Sequence, residues 1–292
     1  MRLYRRPPIS DAANAPAMAL TPVEGLALAR RGKAIVAAST EALRLAEGSY
    51  PDVIYFPADH LDLSAHLPVD HQTRCPWKGE ANYFDIAGAS RAAWTYYEAD
   101  ERVAEIAGRV AYDPAHMDVD ILPLPPVPQA AEQVLSFWFE ETPAEKLFET
   151  DPVFDDVIRK RFGELQAAAS EGACDEWAET PKGLLALIIL LDQFSRNLFR
   201  GDASAFANDA RAQALTRRMV ENGFDLALGP RERAFAYLPY MHAEDMALQN
   251  SSVDLYLARL PGSQQLSYAL GHRRTFHQYG RFPGRDEALG RS

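Results

Sequence analysis

The feature that most constrains the fold is a proline-rich segment near the middle of the chain, residues 119–129. Four of its last seven residues are proline. Proline donates no backbone hydrogen bond and drives the residue before it towards extended conformations, so neither a helix nor a central strand is expected to run through this segment. At 292 residues the chain is also long for a single hydrophobic core. We therefore predict two domains, residues 1–118 and residues 130–292, joined by a semi-rigid linker.

Before the linker, the hydrophobic pattern is that of short β-strands. Runs rich in β-branched and aromatic residues, each bounded by Gly, Pro, Asp or Asn, occur at 34–39, 53–56, 81–86, 92–97 and 109–112. Runs of this length with such boundaries are typical of strands. They predict a small antiparallel β fold for the first domain, with one helix near residues 40–47.

After the linker, the hydrophobic period becomes helical. Phe154, Ile158 and Phe162 recur at intervals of four residues and share one helix face. Thr180 followed by Pro181 is a strong helix start, and the helix predicted from there to about residue 200 is apolar nearly all round at first, which predicts a central position. Further helices are predicted at 203–222, 230–240, 243–260 and 263–279. The predicted fold class is thus α+β, with a β-rich domain followed by an all-α domain.

Composition excludes several classes of function. The formal charge of −11 argues against broad binding to nucleic acid or to an anionic membrane surface. The longest apolar run has eight residues, whereas a membrane helix needs about 20. Prolines at positions 7 and 8 interrupt any secretory signal at the amino terminus, so we expect a soluble cytoplasmic protein. No cofactor is predicted, and the oligomeric state stays open.

The segment 58–79 carries the most reactive side chains of the first half. Its three histidines and one thiol are chemically fit to bind zinc, but their spacing matches no standard ligand pair except, loosely, His71 with Cys75. We therefore predict a polar loop without a metal site. A cysteine nucleophile is another reading, because Lys78 and Arg74 would lower the pKa of the Cys75 thiol.

Aromatic residues near this segment give it a possible binding surface. Lys78 stands beside Gly79, which lets a ligand approach the backbone closely. Together with His71, the rings of Tyr83 and Trp94 supply hydrogen-bonding and stacking groups. The alternative is that both rings belong to the core and that Lys78 is solvated.

This half resembles the bacterial family called domain of unknown function 427 (DUF427). The resemblance covers about residues 20–118, and its most specific part is Thr73-Arg-Cys-Pro-Trp-Lys-Gly-Glu-Ala-Asn-Tyr83. It implies a small fold of the β-tent kind with a pocket lined by aromatic residues. A nucleotidyltransferase label is sometimes attached to the family, but no glycine-rich phosphate loop or paired carboxylate motif supports it here.

The predicted central helix of the second half ends in polar residues. An apolar helix that carries polar groups at one end must provide partners for them, because unpaired buried charges cost several kcal/mol. Either acidic residues of other helices neutralise the two arginines, or these arginines bind an anionic ligand. The candidates from this helix are Asp192, Arg196, Asn197 and Arg200.

Two later segments are predicted to meet the end of that helix. Residues 271–292 contain five arginines and two acidic residues, whereas residues 131–180 contain thirteen acidic residues and four basic ones. These opposite charges either satisfy each other between packed helices or leave some cations free for a ligand. The candidates from the later segments are His242, Gln249, His272, Arg281 and Arg285.

The second half resembles a family called domain of unknown function 924 (DUF924). The similarity spans nearly all of 130–292, and the distinctive elements are Asp192-Gln-Phe-Ser-Arg-Asn197 and Tyr237-Leu-Pro-Tyr-Met-His242. It implies a tetratricopeptide-like stack of antiparallel helices without an established activity. The chain departs from the family pattern at Ser195, where proline is usual, and at Gly284-Arg285-Asp286.

The sequence leaves three functional hypotheses. The preferred one is a protein that binds an anionic small molecule or a peptide carboxylate through Arg196, Arg200, His242 and Arg281, with a second pocket around residues 71–78. The second is an enzyme for a phosphorylated or carboxylated metabolite that uses His242 or Cys75, although no catalytic residue is assigned. The third is a structural protein-interaction module.

Overall fold

The computed structural model describes residues 16–292, which divide into two compact units with the boundary between Pro123 and Leu124. The first unit is built of β-strands and the second of helices, which confirms the predicted two-domain α+β class. The amino-terminal residues on which the absence of a secretory signal was predicted lie outside the described residues. No helix within residues 16–292 has the length and hydrophobicity to cross a membrane.

Within residues 16–123, the first unit contains three antiparallel sheets. Their orders are β1-β4-β5, β10-β2-β3 and β6-β7-β8-β9. The strands are β1 Met18–Pro22, β2 Leu26–Arg31, β3 Ala34–Ser39, β4 Leu43–Glu47, β5 Tyr50–Tyr55, β6 His66–Cys75, β7 Gly79–Ile86, β8 Ala89–Ala99, β9 Val110–Tyr112 and β10 Asp118–Leu122.

The four-stranded sheet contributes to two separate hydrophobic cores. Along β9, Val110 and Tyr112 pack with residues of β2 and β3, whereas Ala111 between them packs with residues of β4 and β5. Successive side chains of a strand point to opposite faces of its sheet, so a sheet covered on both faces is buried throughout. This explains why β9 is apolar at all three positions.

Two sequence expectations for this unit need correction, namely the helix near residues 40–47 and the polar loop at 58–79. The helix predicted near residues 40–47 is strand β4, in which buried Leu43 and Leu45 alternate with partly exposed residues and both edges are paired. Much of the polar segment 58–79 forms β6, an edge strand that tolerates Pro68. Residues 119–122 of the predicted linker pair with β2 as part of β10. This pairing does not test the predicted domain boundaries, which stay a prediction.

The second unit contains nine α-helices within the described residues. They are α1 Gln129–Ser136, α2 Pro152–Ser170, α3 Pro181–Ile188, α4 Ser195–Leu198, α5 Asp209–Glu221, α6 Pro230–Ala236, α7 Leu238–Met241, α8 Met246–Arg259 and α9 Gln264–Tyr279. As predicted, α3 starts with a Thr180 side-chain cap on the Gly183 amide and is buried almost along its whole length.

The central helix is not regular throughout. A π-helical turn, Ile189–Phe194, joins α3 to α4 and is buried at every position. The wider turn changes the direction of the side chains that follow, and such turns often occur at functional sites. In this protein the turn carries Asp192 and Gln193, the first polar residues after the apolar run.

Candidate functional site

The β-rich unit buries two of its candidate residues. Cys75 is 6% exposed and packs in the core with Leu45 and Tyr96, so its thiol is closed off from solvent. Lys78 is equally buried, and its ammonium group forms an ion pair with Glu47 at the end of β4. The structure thus contradicts the solvated Lys78 considered from the sequence, and it places the Cys75 thiol inside the core.

Other candidates in this unit lie together on the four-stranded sheet. The His71 and Tyr83 rings are 5.2 Å apart, and Tyr83 forms a 2.7 Å hydrogen bond with the Thr73 hydroxyl. Trp94 lies directly opposite Tyr83 on β8 and packs against the core that contains residues of β4 and β5. Arg91 approaches the Nε2 of His71 at 3.4 Å. These contacts account for the polar groups of Tyr83 within the fold.

In the helical unit, the polar turn of the central helix meets the loop after α7. The Nδ1 of His242 donates to both carboxylate oxygens of Asp192, at 2.9 and 3.0 Å. Arg196, one helical turn further on, donates to the Asp192 backbone carbonyl at 2.8 Å and forms an ion pair with its carboxylate at 2.9 Å. Since Asp192 has no exposed surface, these contacts replace the water that its charge has lost.

The pKa values of this pair follow from its surroundings. Burial by itself would raise the pKa of Asp192, but the positive charge of Arg196 and the contact with His242 hold it well below its ordinary value. Burial lowers the pKa of His242, with Asp192 opposing and Arg196 reinforcing that effect. The pair is therefore a carboxylate with a neutral imidazole at neutral pH, with the Nδ1 proton held by Asp192.

A second acid links this pair to the carboxyl-terminal segment. Asp209 at the start of α5 accepts one hydrogen bond from Arg196 and one from Arg285, each 3.0 Å long. The two guanidinium groups also contact the Phe206 ring, with their carbon atoms 5.8 and 4.6 Å from its centroid. Arg285 completes the connection by donating to the backbone carbonyl of His242 at 2.7 Å.

The remaining arginines and amides that the sequence singled out have partners elsewhere. Arg200 forms a two-point ion pair with Asp155 on α2, and Asn197 donates to the same carboxylate. Gln249 donates to backbone carbonyls in the 240–243 turn. Arg281 pairs with Asp286.

These contacts favour the first alternative left by the sequence, in which acidic residues of other segments neutralise the arginines. Arg196, Arg200 and Arg281 each have an internal acid as partner, because acidic side chains from α2, α5 and the carboxyl-terminal segment reach them. A guanidinium already held by a carboxylate offers little charge to a ligand. The network around Asp192 and Asp209 therefore acts first as a structural connection between helices.

A cleft of about 480 Å³ opens next to this network. One wall is a face of α9, the other is the segment 282–285, and His272 on the first wall has its ring 6.1 Å from that of His242. The full lining is Ser267, Tyr268, Gly271, His272, Arg274, Thr275, Phe282, Pro283, Gly284 and Arg285. Of the candidates named from the sequence, the lining contains His272 and Arg285.

The ionisable side chains of this lining that the structure describes are basic or aromatic, and none is a carboxylate. The lining contains two arginines and a histidine, and none of the described lining residues is acidic. Arg274 is exposed, and no side-chain hydrogen bond or ion pair to the described residues engages it. The Nδ1 of His272 donates to the Tyr268 carbonyl at 2.9 Å, which orients the ring. The cleft thus combines an available cation with aromatic and hydroxyl groups.

Tyr268, Arg274 and Phe282 line the cleft but were not among the candidates predicted from the sequence. The signal for the first two was present in part, because Tyr268, Gly271 and Arg274 follow one another at intervals of three residues on the predicted helix 263–279. Nothing local indicated that residues 282–285 turn back to form the opposite wall. Within residues 16–292, no group of three or more His, Cys, Asp or Glu side chains is placed to hold a metal ion.

Comparisons with known proteins agree with this division of the chain. Residues 134–292 match a family model described as a bacterial protein of unknown function (DUF924), and residues 23–122 match one described as a domain of unknown function (DUF427). A solved structure of a protein of unknown function, ATU0120, from Agrobacterium tumefaciens is 37% identical, with a TM-score of 0.53. That match covers 56% of this chain and 91% of the other. No curated protein matches.

Proposed function

The chain belongs to the bacterial family of unknown function DUF924, and we propose that the helical domain, which matches that family, binds a small anionic ligand in the cleft between α9 and residues 282–285. The observation that carries this proposal is the lining of the cleft, which is cationic and aromatic and in which no described residue is acidic. The predicted cytoplasmic location remains part of the proposal.

The proposal keeps the ligand class predicted from the sequence and changes the residues that bind it. Arg196, Arg200 and Arg281 are engaged by acids of the domain itself. Arg274, whose side chain has no hydrogen bond or ion pair to residues 16–292, can donate from its planar guanidinium, which presents two parallel N–H groups to a carboxylate or phosphate. His272, which also lines the cleft, adds an oriented imidazole.

Arg285 supports the site without giving it much net charge. Its side chain is only 14% exposed and is paired with Asp209. Its guanidinium carbon also lies 5.0 Å from the centroid of the Phe282 ring, and this contact fixes one wall of the cleft. A wall held by an ion pair and a ring contact is ordered before a ligand arrives, which lowers the entropic cost of binding.

A second candidate function is catalysis by His242. The specific observation in its favour is the hydrogen bond to buried Asp192, which fixes the proton on Nδ1 and leaves Nε2 as the basic nitrogen. A neutral imidazole held in this way is suited to general base chemistry. This candidate predicts that His242→Gln abolishes turnover of a bound ligand while its affinity is retained.

The binding proposal is tested by isothermal titration calorimetry of the full chain with acetate, benzoate and inorganic phosphate. We expect at least one of these anions to bind at concentrations up to about 10 mM, and Arg274→Ala to weaken its affinity by about tenfold or more. Added sodium chloride should weaken binding as well, because the site is open to solvent.

The matched control is Arg273→Ala, which removes the adjacent arginine of the same helix. Arg273 donates to Asn250 and does not line the cleft. Its substitution should leave the affinity unchanged. If no anion binds, or if the two substitutions weaken binding equally, the cleft is not the proposed anion site.

A further inference from the structure

A helix-interior glycine lies in the wall of the cleft without a packing reason. Gly271 is at the middle of α9, and a Cβ built on it would meet no atom within 4 Å. Glycine in a helix interior costs roughly 0.5–1 kcal/mol of stability relative to alanine, because its backbone loses more freedom on folding. The fold thus has room for a larger and more stabilising residue at this position.

The opposite wall of the cleft also contains a glycine with open space at its Cβ position. Gly284 lies in the short turn Pro283–Arg285, and a Cβ on it would also meet open space. A side chain on either glycine would therefore project into the cleft or along its rim. Both glycines line the cleft together with Tyr268 and Phe282, the two aromatic residues of the lining.

Resting on the proposed function, we propose that the ligand is a carboxylate with a flat apolar body that lies over the bare backbone of Gly271. Its carboxylate is bound by Arg274, and its body packs against Phe282 and Tyr268. The combination of one available cation with two aromatic side chains and a side-chain-free surface favours such an amphipathic acid over a compact inorganic anion. Gly271 is then the residue that admits the apolar body.

The test compares three probes on the full chain by calorimetry: 3-phenylpropionate, its amide and acetate. We expect 3-phenylpropionate to bind more tightly than acetate, because only the former has an apolar body. The amide should bind weakly, because it lacks the charge that Arg274 recognises. Equal affinities for the acid and its amide would overturn the carboxylate assignment.

Substitution of the glycine tests the position of the body. Gly271→Leu should weaken the affinity for 3-phenylpropionate on the order of tenfold or more and leave the affinity for acetate nearly unchanged. Gly271→Ala should raise the melting temperature and reduce 3-phenylpropionate affinity to a smaller extent. If Gly271→Leu binds 3-phenylpropionate as the unmodified protein does, the inference is overturned.

Gly163 provides a matched control on α2. It is also a helix-interior glycine, and the nearest atom to its Cβ would be the side chain of Arg159 at 3.9 Å. Gly163→Ala should raise the melting temperature as Gly271→Ala does, and Gly163→Leu should not change the affinity for either probe. Loss of 3-phenylpropionate binding in Gly163→Leu would overturn the inference.

The two proposals fail in different ways. If neither acetate nor any other anion binds, the proposed function is wrong and this inference ends with it. If acetate and phosphate bind through Arg274 but an apolar body adds no affinity, the anion site stands and the assignment of Gly271 is wrong.

Discussion

The imidazole Nδ1 of His242 lies 2.9 Å from the Oδ1 of Asp192, a carboxylate that is fully buried in the helical domain. The two residues are fifty positions apart. Their contact ties the π-helical turn of the central helix to the loop after α7. It also leaves the domain with an imidazole that is neutral in the folded protein.

The first prediction concerns acid sensitivity. The pKa of His242 in the folded domain is lowered by burial from its ordinary value of 6.5, so the unfolded chain takes up the proton first. The stability that this group contributes is present above pH 6.5 and is lost as the pH falls below it. We expect the free energy of unfolding to fall there by at most about 1.4 kcal/mol per pH unit.

Urea unfolding followed by NMR signals of helical-domain methyl groups measures this slope. The variant His242→Gln keeps a donor for Asp192 but cannot be protonated in this range, so its slope should be smaller. Buried Asp192, whose pKa is also lowered, adds its own loss of stability only at more acidic pH, below its ordinary value of 3.8. Identical slopes for the two proteins just below pH 6.5 would contradict the prediction.

The second prediction compares two adjacent acids on α2. The Asp155 carboxylate accepts hydrogen bonds from Arg200 and Asn197, whereas Asp156 forms an exposed ion pair with Lys160. Asp155→Asn should destabilise the helical domain by about 1–3 kcal/mol, because the buried amide of Asn197 and the guanidinium of Arg200 lose the carboxylate that accepts their hydrogen bonds. Asp156→Asn should change stability by no more than about 0.5 kcal/mol. Chemical denaturation distinguishes them, and equal effects would refute the structural role of Asp155.

The third prediction concerns the buried ion pair of the β-rich unit. Lys78→Met leaves the Glu47 carboxylate buried without its cation and should cost about 3–5 kcal/mol. Removing both charges in Lys78→Met with Glu47→Leu should recover most of that loss, since a buried pair is often replaceable by apolar residues. A double variant that is less stable than Lys78→Met alone would show that the pair contributes more than mutual neutralisation.

The fourth prediction concerns the tight turn between β7 and β8. Ala87 and Gly88 both have positive φ angles, 45° and 82°, and they connect the paired residues Ile86 and Ala89. Alanine is disfavoured in this left-handed region, while asparagine tolerates it. Ala87→Asn should raise the unfolding free energy by about 0.5–1 kcal/mol, and Gly88→Ala should lower it. Thermal unfolding measures both, and effects of the same sign would contradict the assigned turn.

Local sequence patterns predicted much of the architecture. The strand predicted at 34–39 coincides with β3, and the helix predicted at 263–279 differs from α9 by one residue. Strand β4 was missed although its alternation of buried leucines with partly exposed residues is visible in the sequence, because the segment contains good helix formers as well. Pairing with β1 and β5 decided its conformation.

The candidate site was predicted less completely, because its contacts join remote segments. The sequence placed Asp192 and Arg196 one turn apart on the same helix, but it did not show that Asp209 from α5 would neutralise the arginine. The same holds for Arg200 and its partner Asp155. Spacing along one helix determines which side chains are neighbours, whereas the partner across a packed interface depends on how the helices dock.

The sequence by itself determined the division into a β-rich half and a helical half, because strand and helix periods are properties of adjacent residues and prolines stop both. Only the tertiary structure decided which arginines form ion pairs within the helical domain and that no described residue pairs with Arg274. Charge neutralisation depends on distances of a few ångströms between segments that the chain brings together only on folding. The return of residues 282–285 against α9, which forms the cleft, was decided in the same way.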